Sequence, residues 1–311
     1  MNEKHTVLKN KYLEATVRLP SNEPISQRFD DAGIVEQIIF NERHRFCQPE
    51  QIIPKKETTN GIGLCSEFIW NELAKDTPPG TQFPKFGVGL LTQRSEGGDY
   101  NRWAQYDIEP YKRSYKIYED RVEFTQYPKI CMGLAARILK AVQINANTIT
   151  ITTTILNEGE KPLDMSEYQH NFIAINDIPI GPGYNLKIPY DRTLSEVKNC
   201  VYSLSGNNDK TQVLPDMIDV ENHTITWLAQ QTETEIVKIT EESDILTLPQ
   251  YKWTLSHDEH SVKISEICHF SPSKIILWGI EHTVCVEAFC KISVPMNGRQ
   301  TFARTWVFED E

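Results

Sequence analysis

The sequence predicts an all-β protein, built as a sandwich or barrel of antiparallel sheets. Three observations carry that expectation. Short runs alternate polar and apolar residues with a period of two, as in Thr148-Ile-Thr-Ile-Thr-Thr-Thr-Ile-Leu156, the pattern of a half-buried strand. Turn chemistry recurs between such runs, at Asn157-Glu-Gly-Glu-Lys-Pro162, Gly206-Asn-Asn208, His257-Asp-Glu-His260 and Pro295-Met-Asn-Gly298. Helical stretches are few, and many short strands with few helices imply packed sheets. No composition shift, repeat or low-complexity tract divides the 311 residues, so a single domain over 1–311 is expected.

In chain order, Ile34–Phe40 reads as a strand that resumes at His44–Phe46 after a polar turn, which makes a hairpin. Phe68–Ala74 has the composition of one short helix, stopped by Thr77-Pro-Pro-Gly80. Phe83-Pro-Lys-Phe-Gly-Val-Gly-Leu-Leu91 contains a GxG without the third glycine of a dinucleotide loop. Its glycines read as strand positions where backbone or ligand comes close. Tyr106, Tyr111, Tyr115 and Tyr118 suggest strands with aromatic pairs. Arg137–Ile144 and the Thr/Ile run after it form a second hairpin. Further strands are expected at 223–228, 235–240, 244–248, 261–268, 274–280 and 301–308.

Two stretches carry candidate chemistry. In Ser166-Glu-Tyr-Gln-His-Asn-Phe-Ile173, an extended chain puts Tyr168, His170 and Phe172 on one face and Glu167, Gln169 and Asn171 on the other. His170 is then either a core histidine between aromatics or a histidine on an aromatic floor suited to a sugar ring. In Glu281-His-Thr-Val-Cys-Val-Glu-Ala-Phe-Cys-Lys-Ile292, Val284, Val286, Ala288, Cys290 and Ile292 make an apolar face for the core. Glu287 lies on the opposite face with Thr283, Cys285, Phe289 and Lys291, either solvated or lining a cleft.

Composition narrows the function classes. With 32 Lys plus Arg against 43 Asp plus Glu, the formal charge is −11, a surface that repels nucleic-acid backbones. No apolar run approaches the ~20 residues of a membrane span, and the N-terminus shows no signal-peptide pattern. The seven cysteines are scattered and odd in number, which fits free thiols in the cytoplasm. His257-x-x-His260, with Asp258, Glu259 and His269, fits no strong zinc motif, so no metal is expected. No G-x-S-x-G elbow, P-loop or HExxH is present, which leaves serine hydrolase, NTPase and zincin chemistry without support.

Taken together, Glu167-Tyr-Gln-His-Asn-Phe172, Cys285-Val-Glu287 with Pro295-Met-Asn-Gly298 and Arg304-Thr-Trp-Val-Phe308, Arg28-Phe-Asp-Asp-Ala-Gly33 and Phe86-Gly-Val-Gly-Leu90 resemble, in order and spacing, the galactose mutarotase-like or aldose 1-epimerase-like proteins. The resemblance implies a β-supersandwich and a small-molecule sugar as partner, with no cofactor. It implies His170 as general acid and Glu287 as general base. Arg28 and Lys85 would donate to sugar hydroxyls, and Tyr168, Phe172, Trp278 or Phe289 would supply the floor. The chain departs from the family pattern in having no Asn-His-Leu-His-Gly-like loop, and only Asp216 and Asp219 are loose matches to its substrate-gripping aspartate. Two alternatives go with the epimerase reading. One is a non-catalytic carbohydrate-binding protein. The other is a hexose-6-phosphate 1-epimerase, which would need basic residues at the cleft rim, with Arg28, Lys85, Arg94 and Arg102 as candidates.

Overall fold

The Thr/Ile run forms the long hairpin expected of it. Ala136–Asn145 pairs antiparallel with Thr148–Asn157 over the full length of both strands. Ala146 turns the chain with a left-handed φ of 48°. The computed structural model describes residues 4–21, 26–52, 60–188, 201–204, 210–212, 218–231, 235–238 and 251–310.

Among these residues the strands fall into three antiparallel sheets. The first runs, edge to edge, through His5–Lys9, Leu13–Arg18, Val35–Phe40, Leu64–Ile69, Leu163–Asn171, Thr283–Val294, Lys274–Ile280, Glu235–Lys238, Val201–Leu204 and Lys210–Gln212, with His44–Arg45 paired beside Val35–Phe40. The second runs through Ile218–Glu221, Thr224–Trp227, Tyr184–Lys187, Tyr251–His257, His260–Cys268, Arg299–Asp310, Thr148–Asn157, Ala136–Asn145, Arg121–Gln126 and Arg113–Ile117. Gln82–Lys85, Gly89–Thr92 and Ile108–Pro110 make a small third sheet.

The two large sheets bury their inward faces against each other. Val35, Ile38, Phe40, Ile264, Trp253, Trp306 and Phe308 share one buried cluster with Val284, Val286 and Ala288. Cys290, Ile292 and Val294 continue the same strand face into a second cluster. Alternation therefore turns Glu287 away from the inter-sheet core, as its sequence pattern requires.

Some expectations are corrected. Phe68 and Ile69 do not enter a helix; they finish a strand, with Phe68 opposite Glu167 and buried. Among the described residues only Glu72–Lys75 is α-helical. Ladder bonds satisfy the backbone over this stretch, and so short an isolated helix is marginal without packing. Gly87 sits not in a strand but in the turn between two strands, at φ +84°. Gly89 is a strand residue at a close backbone approach, because a Cβ there would lie 2.3 Å from the Glu109 carbonyl oxygen. Tyr251–His257 is a strand missing from those expected, although its inward Tyr251, Trp253, Leu255 and His257 alternate with polar residues. The expected strand 244–248, the turn at Gly206–Asn208 and Asp216 lie outside the described residues.

No helix among the described residues is long and apolar enough to cross a membrane. The six described cysteines are free. Burial pushes the Cys47, Cys65, Cys268, Cys285 and Cys290 thiols up, Cys290 to about 12, and so leaves them inert toward disulfide exchange. Denatured protein prepared without reductant should titrate all seven thiols, and a shortfall of two or more would contradict this.

Candidate active site

Three neighbouring strands of the first sheet build the candidate site on the face opposite the core. Leu64–Ile69 places Cys65 opposite His170 and Glu67 opposite Tyr168. Thr283–Val294 places Phe289 opposite Tyr168. Alternation then gathers Cys65, Glu67, Tyr168, His170, Cys285, Glu287 and Phe289 on one face.

His170 and Glu287 meet there, with Nε2 3.0 Å from Oε1. They are 2% and 6% exposed, so the pair interacts largely without solvent screening. The imidazole stacks on Phe172, with ring centroids 3.9 Å apart and planes 14° apart. Phe29 and Trp278 approach it edge-on at 5.7 and 5.2 Å. Its Nδ1 is buried without a hydrogen-bond partner. Burial pushes the Glu287 carboxyl up to about 7, against the pull of the Arg28 charge. Burial and then Arg28 hold His170 well below the ordinary histidine range. Below about pH 7 the pair therefore keeps one proton between carboxyl and imidazole. Above it, a carboxylate faces a neutral ring.

Beside the pair lies a buried lattice of charges centred on Glu67. Arg28 Nε donates to Glu67 Oε2 at 2.7 Å, and an Arg28 terminal nitrogen donates to the Tyr168 hydroxyl at 2.7 Å. Tyr168 donates in turn to Glu67 Oε2 at 2.5 Å. Lys85 Nζ donates to Glu67 Oε1 and to the Phe68 carbonyl, both at 2.8 Å. The other terminal nitrogen of Arg28 lies 3.4 Å from Glu50 Oε1, and Glu50 Oε2 accepts from Gly61 N at 3.0 Å. Burial alone would raise Glu67, but Lys85 and Arg28 overcome it and hold the carboxyl well below the usual carboxylate range.

The structure places Arg28, Lys85, Tyr168, Phe172, Trp278 and Phe289 around the His170–Glu287 pair, with differing freedom to meet a ligand. Arg28, Lys85 and Tyr168 reach the site face with polar atoms engaged by Glu67. Phe289 has one ring face on Tyr168, at 4.6 Å between centroids, and the Lys274 ammonium 3.9 Å from its ring centroid. Trp278 is half-buried, edge-on to His170 and Phe172. Arg94 pairs with Glu96 at 2.6 Å. Arg102 is exposed, and its charge lowers both Glu287 and Glu67. Asp219 lies on the edge strand of the other sheet and accepts from Val220 N. The rings of His257 and His260 are 5.3 Å apart, and no group of three or more metal-ligating side chains occurs among the described residues.

Sequence reasoning missed Glu67 and Glu50. The alternation of Leu64-Cys-Ser-Glu-Phe68 puts Cys65 and Glu67 on a common face. That this is the face of His170 depends on the pairing partner, and no local signal specifies it.

Solved structures give the fold a known counterpart. Slr1438 from Synechocystis superposes with a TM-score of 0.60 at 11% identity, over 99% of this chain and 96% of its own. A galactose mutarotase-like protein from Lactobacillus casei gives 0.57 at 11%, over 98% and 100%. A galactose 1-epimerase from Lactobacillus acidophilus gives 0.51 at 7%, over 98% and 94%. No family model and no curated protein matches the chain. The likeness is one of fold: the chain carries the galactose mutarotase-like architecture over nearly its whole length.

Proposed function

We propose that this protein of galactose mutarotase-like fold interconverts the α and β anomers of a sugar by acid–base ring opening. In this reading His170 and Glu287 move the protons. The supporting observation is their direct 3.0 Å contact in a buried site, with the carboxyl pushed up to about 7. Perturbed, mutually bonded titratable pairs mark sites of proton transfer.

The proton accounting is simple. The pair holds one transferable proton, as Glu287 carboxylate with imidazolium or as carboxylic acid with imidazole. A bound sugar replaces the bond between them with one bond from its C1 hydroxyl to Glu287 and one from His170 to its ring oxygen. Glu287 takes the hydroxyl proton as C1=O forms. The C1–O5 bond breaks, and its electron pair takes the proton from His170. The aldehyde end rotates, and the reverse transfers close the ring on its other face. The enzyme ends as it began, with no net proton lost. Trp278 is the aromatic surface beside the pair, suited to the C–H face of the sugar.

Saturation-exchange NMR over a panel of neutral and phosphorylated aldoses tests this. At least one sugar should exchange its anomers faster with protein than without. The rate should fall as pH rises through about 7, where the pair loses its shared proton. A sugar that raises the thermal midpoint but is never exchanged faster would replace this reading with the binding protein.

A further inference from the structure

The two strands that carry His170 and Glu287 are not paired continuously. Leu163 to Tyr168 pair with Val294 to Phe289. Ile173 pairs again with Val284, through hydrogen bonds of 3.2 and 2.9 Å. The register is the same on both sides, yet residues 169–172 and 285–288 face each other without ladder pairing. The opening is centred on His170 and Glu287. The neighbouring ladders continue past it, from Ser166–Asn171 to Ile69–Leu64 and from Lys274–Ile280 to Phe289–Thr283.

An opened ladder leaves buried carbonyls to satisfy, each costing about 1–3 kcal/mol if unpaired. Here side chains from the opposite face supply donors. Asn171 Nδ2 donates to the Val286 carbonyl at 2.7 Å, and a terminal nitrogen of Arg304 donates to the Ala288 carbonyl at 2.9 Å. These are the carbonyls of the two residues that flank Glu287. Both donors are themselves held. Asn171 Nδ2 also donates to Glu266 at 2.9 Å, and Asn171 Oδ1 accepts from Trp306 Nε1 at 3.2 Å. Arg304 forms ion pairs with Glu167 at 2.7 Å and Glu266 at 3.2 Å. Trp253 Nε1 donates to Glu266 at 2.7 Å. Asn171 and Glu266 are fully buried, and Glu167 and Arg304 nearly so. A buried polar network of this size is costly unless fully satisfied, and apolar residues would cover the same core.

We infer that Asn171 and Arg304 are positioning residues, which set the separation of His170 and Glu287 by holding the backbone of the glutamate strand across the opened ladder. The inference rests on the acid–base reading of the pair. It predicts that the pair loosens when either donor is lost, though neither side chain lies on the site face.

The test reads the pair in the sugar-free protein. The Glu287 carboxyl is followed by carbon-13 NMR, assigned by its loss in Glu287→Gln, and the His170 ring by its proton shifts. Asn171→Leu keeps the volume and removes the bond to Val286. Arg304→Lys keeps a cation between Glu167 and Glu266 but cannot also span to Ala288, and it serves if the first variant does not fold. The charges around Glu287 on the site face, Arg28, Glu67, Arg102 and Lys274, stay in place in both. In a folded variant the carboxyl midpoint should move by at least about half a pH unit, and the mutarotation rate should fall about tenfold or more with KM little changed. A folded variant with unmoved midpoint and unchanged ring shifts would overturn the positioning role. A moved midpoint in a protein that exchanges no sugar would uphold the positioning and remove the epimerase reading instead.

Discussion

Glu287→Gln should lower the mutarotation rate of a competent sugar by roughly 10²–10⁴, the usual worth of a positioned acid or base. His170→Asn should cost a similar factor. The double variant should lose far less than the product of the two, because in the proposed mechanism the residues act in one step. Full activity in Glu287→Gln would remove the assignment. The same variant has a second, opposite signature. The Glu287 carboxyl rises from 4.5 to about 7 on folding, so the folded state binds its proton more tightly than the unfolded chain does. Its contribution is most favourable below pH 4.5 and is lost as pH rises through about 7. Gln carries no such penalty. Between pH 5 and 8 the stability difference should therefore move in favour of the variant, by up to about 3 kcal/mol. Urea unfolding at both pH values measures it. An enzyme that gains stability while losing rate would show a carboxylate kept in an unfavourable place for its chemistry, which simple loss of a structural contact does not produce.

Glu67→Gln should be the most destabilising substitution on the site face, at about 3–5 kcal/mol, the cost of removing one partner from a buried ion pair. The amide keeps the volume, but it leaves Arg28 and Lys85 without the charge that both engage at under 3 Å. Among the described residues, Glu50 is the one other carboxylate within ion-pair distance of Arg28, and at 3.4 Å. The pH dependence runs opposite to that of Glu287. Glu67 is depressed in the folded protein, so its stabilisation is present above about 4.5 and fades as pH falls. Comparing wild type with Glu67→Gln in urea at pH 7 and pH 4 should show a gap that narrows in acid. A gap under about 1 kcal/mol at pH 7 would mean that Glu67 does not hold the lattice together.

These expectations mark where local pattern ends. The all-β class, the long hairpin of Ala136–Asn145 with Thr148–Asn157 and the outward turn of Glu287 were legible because a strand has a period of two and exposes that period in the sequence. Val284, Val286 and Ala288 could lie only on the core, so Glu287 could not. Tyr168, His170 and Phe172 shared a face for the same reason. Phe68 and Ile69 were misread because their composition suits a helix, and strand pairing with Leu163–Asn171 overrode it. Nothing in the three segments themselves states that Leu64–Ile69, Leu163–Asn171 and Thr283–Val294 are neighbours, since strand order follows from long-range packing. Glu67 therefore came to light only with its partners, although its own alternation was plain. The opened ladder is further still from sequence: residues 169–172 and 285–288 look like ordinary strand, and it takes Arg304 and Glu266 from the facing sheet to show otherwise. A side chain's face is a property of its own strand. Its charge state and its partner belong to the sheets that close around it, because desolvation and ion pairing are summed over neighbours distant in the chain.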